Sequence, residues 1–363
     1  MRSRGRRFGA PSAPAAAVDA AKSNAVDIGS ARPGEGMRTV LKKYGWPVIG
    51  LAAVVLSGWL LYSELRSLSL DDLIESLAAI GWHQWLLAAG ATLVAYAALA
   101  WYDRIGLQFL GKTVPWLYIA VTSFTTYALS HNIGASVLSG AVIRYRAYSR
   151  QGLTAGEVAL LVTFCSFTFA LGTVMLAGIV LVLQPHVADH ITELPHELVR
   201  VLGFVLLAGV ALYVVFTRLP LRPVRIGSLL IPRPSGGVVA RQLVAAPIEL
   251  IGAAAIIYFT LPAHDNPGFL IVLGAFLASF TAALLSHAPG GLGVLELVFL
   301  TVLPDADPAD VLASLIVFRL FYLLLPLALS LIVVVVFEHS QFGREDAPTG
   351  GGAPPPTLPP DRA

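Results

Sequence analysis

The sequence predicts an all-α polytopic membrane protein: an inverted repeat of two halves, with about six full spans and two re-entrant helical hairpins distributed over eight apolar regions. Three observations carry this prediction. Only 13% of the 363 residues are charged and 56% are hydrophobic, whereas about a quarter of a soluble domain is charged. The apolar residues gather into runs that reach the roughly 20 needed to cross a bilayer core. Finally, Ser123-Phe-Thr-Thr-Tyr-Ala-Leu-Ser-His131-Asn-Ile-Gly134 returns as Ser279-Phe-Thr-Ala-Ala-Leu-Leu-Ser-His287-Ala-Pro-Gly290, seven of twelve positions identical at an offset of 156 residues.

In chain order, residues 1–43 are expected to form a disordered, basic cytoplasmic N-terminus, too poor in apolar runs for a core and without the h-region of a signal peptide. The first membrane repeat is placed at 44–183 and the second at 199–338. A Pro/Gly-rich tail, 343–363, is expected to be disordered as well. Hydropathy puts full spans near 45–62, 84–102, 157–183, 199–217, 242–261 and 311–337. Two further apolar regions, 115–143 and 268–303, contain the repeated segment. Each is either a span with an extra helix or a hairpin of two half-helices.

Charge decides between these, because Lys and Arg concentrate on the cytoplasmic side. With nine Lys/Arg at the N-terminus placed inside, the acidic loop 63–83 falls outside and the loop with Arg104 and Lys112 falls inside. The loop with Arg144, Arg146 and Arg150 stays inside only if 115–143 turns back on itself. By the same logic 184–198, with Asp189, Glu193 and Glu197, lies outside, and the loop with Arg218, Arg222, Arg225, Arg233 and Arg241 lies inside. The second hairpin then opens outward, towards Asp305, Asp307 and Asp310. This layout puts 21 of 24 Lys/Arg inside. Each half reads span, span, hairpin, span, and three net crossings invert the second half relative to the first. Interrupted helices in inverted repeats mark the substrate sites of many transporters.

Ionisable groups inside a bilayer cost about 2.5–3.5 kcal/mol each and so point to function or to a buried partner. The candidates begin with the hairpin tips, Ser130, His131, Asn132 and Gly134 in the first and Ser286, His287, Gly290 and Gly291 in the second. Irregular backbone at membrane depth survives only where it is buried in protein or lines a wet cavity. The half-helix that follows each tip would present free N–H groups to an anion. The plainer reading is that Ser and His cap the break and satisfy each other. Glu296 follows the second tip and could bind a cation, carry a proton or pair with arginine. Arg319, inside the last span, must face inward; it suits bidentate phosphate contact or an ion pair with Glu296. Glu249, two residues after Pro247, is a proton or cation site or a structural hydrogen-bond partner. Arg144, Arg146 and Arg150 act first as topology determinants and second as phosphate collectors.

No Walker A, HExxH, GxSxG or Cys/His cluster occurs, so no catalytic residue, cofactor or metal is expected and the chain does not read as an enzyme. The single cysteine, Cys165, lies in an apolar run and reads as a packing residue. The expected partners are membrane lipids, with a second copy of the chain as a further option and nucleic acid excluded.

Gly140-Ala-Val-Ile-Arg144-Tyr-Arg146, Pro289-Gly-Gly-Leu-Gly-Val-Leu-Glu296 and Phe318-Arg319-Leu-Phe-Tyr-Leu-Leu-Leu-Pro326 resemble the transmembrane region of lysylphosphatidylglycerol synthetases, the flippase module of bacterial multiple-peptide-resistance proteins. The resemblance covers roughly residues 40–340. It implies a multi-pass inner-membrane protein, both termini cytoplasmic, that moves lipid between leaflets without ATP. The resistance proteins continue into an aminoacyl-transferase domain; here a Pro-rich tail follows the last span, so the resemblance carries no synthetase activity. A scaffold for a lipid or glycan pathway is the alternative, and an intramembrane transferase using His131 or His287 as base is a weaker one.

Overall fold

The computed structural model describes residues 70–333, apart from 134–135, 190, 220–223, 227–228, 232–233, 265 and 287–290. The expected span at 45–62 and both terminal segments lie outside the described residues. The other five spans are present as helices long and apolar enough to cross a membrane. They are α2 (Trp82–Phe109), α5 (Ala155–Leu183), α6 (His196–Arg218), α7 (Gly236–Thr260) and the last span, Pro308–Val333. That last span begins as α10 (Pro308–Phe318) and continues through a π-helical turn, Arg319–Leu324. The hairpin helices are α3 (Trp116–Ile133) with α4 (Ser136–Tyr148), and α8 (Phe269–Ser286) with α9 (Val294–Val302). Two elements were not foreseen. A short helix, α1 (Leu70–Ala79), lies in the acidic loop, and an antiparallel pair, β1 (Val224–Ile226) and β2 (Leu229–Ile231), lies in the basic one.

The return helix of each hairpin is too short to cross a bilayer, whereas α3 and α8, at 18 residues each, reach about 27 Å. At 1.5 Å per residue, the 13-residue α4 spans about 20 Å and the 9-residue α9 about 14 Å, well short of a ~30 Å core. Each hairpin also opens and closes at one end of the bundle. Tyr118, near the start of α3, donates its hydroxyl to the Ala147 carbonyl at the end of α4 (2.7 Å). At the opposite end, Ile271 of α8 and Val302 of α9 line one cleft. That cleft also takes in His186, Asp189, His264 and Asp305, so the loops assigned to the acidic face do share a face. On the basic face, Lys112 pairs with Glu157 (2.9 Å) and Arg241 donates to Gln108. The loops sort into two groups as the charge argument requires.

The inversion is visible where α2 meets α7, the most extensive helix contact among the described residues. Gln108 meets Arg241, Tyr102 donates to the Ala246 carbonyl, and Ala95 lies against Gly252. Numbers fall along one helix as they rise along the other, so the two run antiparallel. With the offset of 156, α2 and α7 are each other's counterparts. The Ala95–Gly252 contact is one residue from the self-equivalent point. Helices in lipid have no hydrophobic drive towards each other and rely on close backbone approach at small residues. A Cβ on Gly252 would sit 3.0 Å from both the Ala91 carbonyl and the Ala95 amide nitrogen. Ala245, Ala246, Ala253 and Ala254 of α7 are fully buried around it. α5 and α6 use the same device, with a Cβ on Gly203 falling 2.9 Å from the Gly178 carbonyl. Leu202, Phe204, Leu212 and Phe216 of α6 face outward, as a lipid-facing helix should.

Hairpin α3–α4 is locked to α2 by a buried ion pair. The Arg144 guanidinium donates to the Asp103 carboxylate through Nη2 (2.8 Å) and Nε (3.2 Å), and lies 4.7 Å above the Tyr127 ring. Tyr148 and Cys165 donate to the same carboxylate (2.9 and 3.4 Å). Asp103 is fully buried and Arg144 nearly so. Arg144 is therefore not a solvated loop residue, and its charge is held by Asp103; of the three arginines assigned to that loop, Arg146 and Arg150 are the exposed ones.

Two outcomes follow from this packing. Gly252→Leu should lower the detergent-solubilised unfolding free energy by about 1–3 kcal/mol or more through overpacking, whereas Gly90→Leu, which meets nothing within 4 Å, should leave the unfolding midpoint unchanged. Arg144→Met should cost about 3–5 kcal/mol by stranding the buried Asp103 charge. The double variant Asp103→Leu/Arg144→Met should lose less than that single one, which a double-mutant cycle on thermal unfolding would read directly.

Candidate functional site

The second tip is built by its glycines. Gly291 and Gly293 have φ of 65° and 78°, a left-handed backbone that side chains with a Cβ resist. At Gly291 a Cβ would also come 2.5 Å from Leu295 Cδ1. The chain can thus turn into α9 within a few residues. Glu296, in the first turn, then reaches back: its Oε2 accepts from the Gly293 amide (2.9 Å), half of a capping box. Its other oxygen accepts from Arg319, at 2.6 Å from Nη2 and 3.0 Å from Nε. The Gly291 carbonyl lies 3.4 Å from the same Nη2. Gly291, Gly293 and Glu296 together form a cradle that holds one arginine of the last span. Its carboxylate also occupies the positive end of α9, so the free N–H groups expected there for an anion are in part already satisfied.

The first tip meets the same turn of the last span. Asn132 Nδ2 donates to the Ala128 carbonyl (2.8 Å) and to the Leu323 carbonyl (3.1 Å). The His131 ring stacks on Tyr322, centroids 5.3 Å apart. Pro326 accounts for one of the carbonyls of this turn: it has no N–H to return to Tyr322 four residues back, and Tyr96 donates to the Tyr322 carbonyl instead (2.9 Å). A π-helical turn of this kind recurs at functional sites. The Tyr322 hydroxyl in turn donates to Glu249 Oε1 (2.5 Å). Within five residues, Arg319 receives tip two while Tyr322 and Leu323 receive tip one.

Not all polar groups here are satisfied. Ser123, Thr125 and Ser130 hydroxyls and His131 Nδ1, all on α3, are buried without a hydrogen-bond partner among the described residues, as is Glu249 Oε2. Ser130 and His131 therefore do not satisfy each other. Each orphaned group costs about 1–3 kcal/mol, which a water, an ion or a ligand group at these atoms would relieve.

Among the sequence candidates, Ser130, His131, Asn132 and Glu249 gather at tip one, and Gly291, Glu296 and Arg319 at tip two. Ser286 ends α8, while Gly134, His287 and Gly290 lie outside the described residues. Arg144 lies below tip one in its pair with Asp103, and Arg146 and Arg150 are at the surface rather than in the site. Sequence reasoning missed Tyr96, Asp103 and Tyr322. Asp103 escaped because the apolar run ends at 102 while the helix continues to Phe109. Tyr322 had a signal in its position, three residues after Arg319 and four before Pro326.

Comparison with known proteins agrees with this architecture. Residues 48–330 match the family described as the lysylphosphatidylglycerol synthase TM region. An uncharacterized protein of Synechocystis sp. is 30% identical over 84% of this chain and 95% of its own length. The inner membrane protein YbhN of Escherichia coli is 29% identical over 70% of this chain and 80% of its own. A phosphatidylglycerol lysyltransferase of Staphylococcus haemolyticus is 24% identical over 78% of this chain, which corresponds to only 33% of that enzyme. This multi-pass membrane protein belongs to the family of the lysylphosphatidylglycerol synthase transmembrane region.

Proposed function

We propose that the protein moves an anionic phospholipid between leaflets, without ATP, by passing the headgroup between the two hairpin tips while the acyl chains stay in lipid. The observation that carries this reading is the convergence of hairpins from opposite faces on one π-helical turn of the last span. A path between the two tips needs a polar lining at mid-membrane, and the orphaned groups of α3 and Glu249 supply one. Arg319 is the phosphate ligand in this scheme. In the resting state its Nη2 and Nε share one oxygen of Glu296, and a phosphate, with several oxygens, can take the same two N–H groups in the bidentate fashion a single carboxylate oxygen does not allow. Glu296, once displaced, keeps its bond to Gly293 and so stays beside the headgroup to balance a cationic substituent. Tyr322 and His131 form the wall on the other side of the turn.

The choice of phosphatidylglycerol-type lipids rests on the staphylococcal relatives, whose names specify phosphatidylglycerol lysyltransferase. Their likeness to this chain is confined to about a third of their length. The lysyl transfer is therefore not assigned here. An inner-membrane location follows YbhN, with the basic face towards the cytoplasm.

The test is reconstitution of the full chain into liposomes with fluorescent phosphatidylglycerol, followed by bleaching of the outer leaflet. Wild type should expose the inner-leaflet probe to bleaching, while Arg319→Ala and Glu296→Gln should slow this at least about tenfold, the equivalent of ~1.4 kcal/mol on the barrier. Arg319→Lys separates structure from transport. It should retain the pair with Glu296 and an unchanged unfolding midpoint, yet translocate more slowly because a lysine cannot grip phosphate bidentately. Wild-type rates in all three variants would sink the proposal.

A further inference from the structure

The loop between α5 and α6 carries His186, Asp189 and His196, none of which has a part in lipid passage. The loop is stiff. Pro185–Ala188 forms a 3₁₀ turn, and Val187 within it is buried against Gly274 of α8, where a Cβ would lie 2.8 Å from its methyl. Successive backbone bonds, Asp189 to His186 and Thr192 to Ala188 (3.1 and 2.9 Å), set the next residues. Pro195 then starts α6, whose first residue is His196. Side chains on such a frame are positioned before any ligand arrives.

Their geometry is convergent. His186 Nδ1 lies 3.2 Å from Asp189 Oδ2, and His196 Nε2 lies 2.7 Å from Asp189 Oδ1. The two imidazole rings meet edge to face with centroids 4.2 Å apart. One donor atom from each of the three residues falls within 4.8 Å of the others. Tetrahedral zinc with ligands at about 2.0–2.2 Å separates its donors by roughly 3.4 Å, so small side-chain rotations close the set. Two imidazoles and a carboxylate with a vacant fourth position form the ligand set of an open zinc site.

We propose that His186, Asp189 and His196 bind a divalent transition-metal ion, zinc best of all, at the acidic face of the bundle. The ion ties the end of α5 to the start of α6. His186 and Asp189 also line the cleft of about 360 Å³ where the second hairpin opens. An ion here therefore clamps the loop beside that mouth.

The experiment uses the full chain, purified in detergent, stripped with chelator and titrated calorimetrically with zinc chloride. One equivalent should bind with micromolar or tighter Kd and raise the thermal unfolding midpoint. His186→Gln and His196→Gln should each weaken binding at least tenfold, with His83→Gln as an unaffected control. Cobalt(II) provides a readout that needs no variant: the wild type should show the intense visible absorption of tetrahedral coordination. A simple His–Asp–His hydrogen-bonded loop would give no such spectrum and only millimolar zinc binding, and either result would overturn the proposal. Tight binding that survives in the His186→Gln/His196→Gln double variant would overturn it equally.

Discussion

A helix that stops inside a bilayer leaves carbonyls and amides that no lipid can satisfy, and the centre of this molecule is organised around that demand. Two hairpins stop there, one from each face. The solution is to bring both to a single turn of the last span, itself loosened into a π-helix by the missing N–H of Pro326. Its Tyr322 carbonyl takes the Tyr96 hydroxyl, and its Leu323 carbonyl takes the Asn132 amide. At the other tip a glutamate takes the Gly293 amide and an arginine approaches the Gly291 carbonyl. The ends that membrane burial would penalise thus become the bonds that hold hairpins and span together.

This arrangement depends on close packing elsewhere. The tips can meet at mid-membrane only if α2 and α7 cross tightly, and their contact at Ala95 and Gly252 has almost no side chain in it. The Asp103–Arg144 pair then holds the first hairpin against α2. Burying two charges is a weak source of stability. With Tyr148 and Cys165 also on the carboxylate, and Tyr127 under the guanidinium, the pair instead specifies one seat for α4.

Much of this was legible in the amino-acid order because membrane constraints are written in composition. Apolar run length located five spans to within a few residues at most ends, and the placement of arginines separated the loops into the two faces that the structure shows. The Glu296–Arg319 pair, offered as one of two readings of Arg319, is formed. What escaped was chemistry that depends on who meets whom. Hydropathy ends a span at the first charge, so Asp103 was left in a loop, although its helix carries it into the core to meet Arg144. Tyrosines carry little hydropathy signal in either direction, and Tyr96 and Tyr322 went unremarked. The π-turn has no local signature beyond Pro326, since its register is completed by side chains from α2 and α3.

The two halves share a backbone plan but not their charges. At the offset of 156, Glu296 corresponds to Gly140, Arg319 to Thr163, Glu249 to Leu93, Asp103 to Phe259 and Arg144 to Leu300. Of the candidate site residues, only Ser130/Ser286, His131/His287 and Gly134/Gly290 stand in both halves. In the first hairpin a glycine stands where the second has its carboxylate, and α4 uses that space to approach α3: a Cβ on Gly140 would lie 3.0 Å from Ser130 Oγ. The first hairpin is thereby closed by packing and locked by a fully buried ion pair. The second is closed by a partly exposed one, with both side chains still 11–14% accessible. An ion pair that an incoming phosphate can reach is exchangeable, and one sealed under two tyrosines is not. On the lipid-passage reading the hairpins are therefore unequal gates, with the Glu296–Arg319 side yielding to the headgroup and the Asp103–Arg144 side serving as the fixed wall.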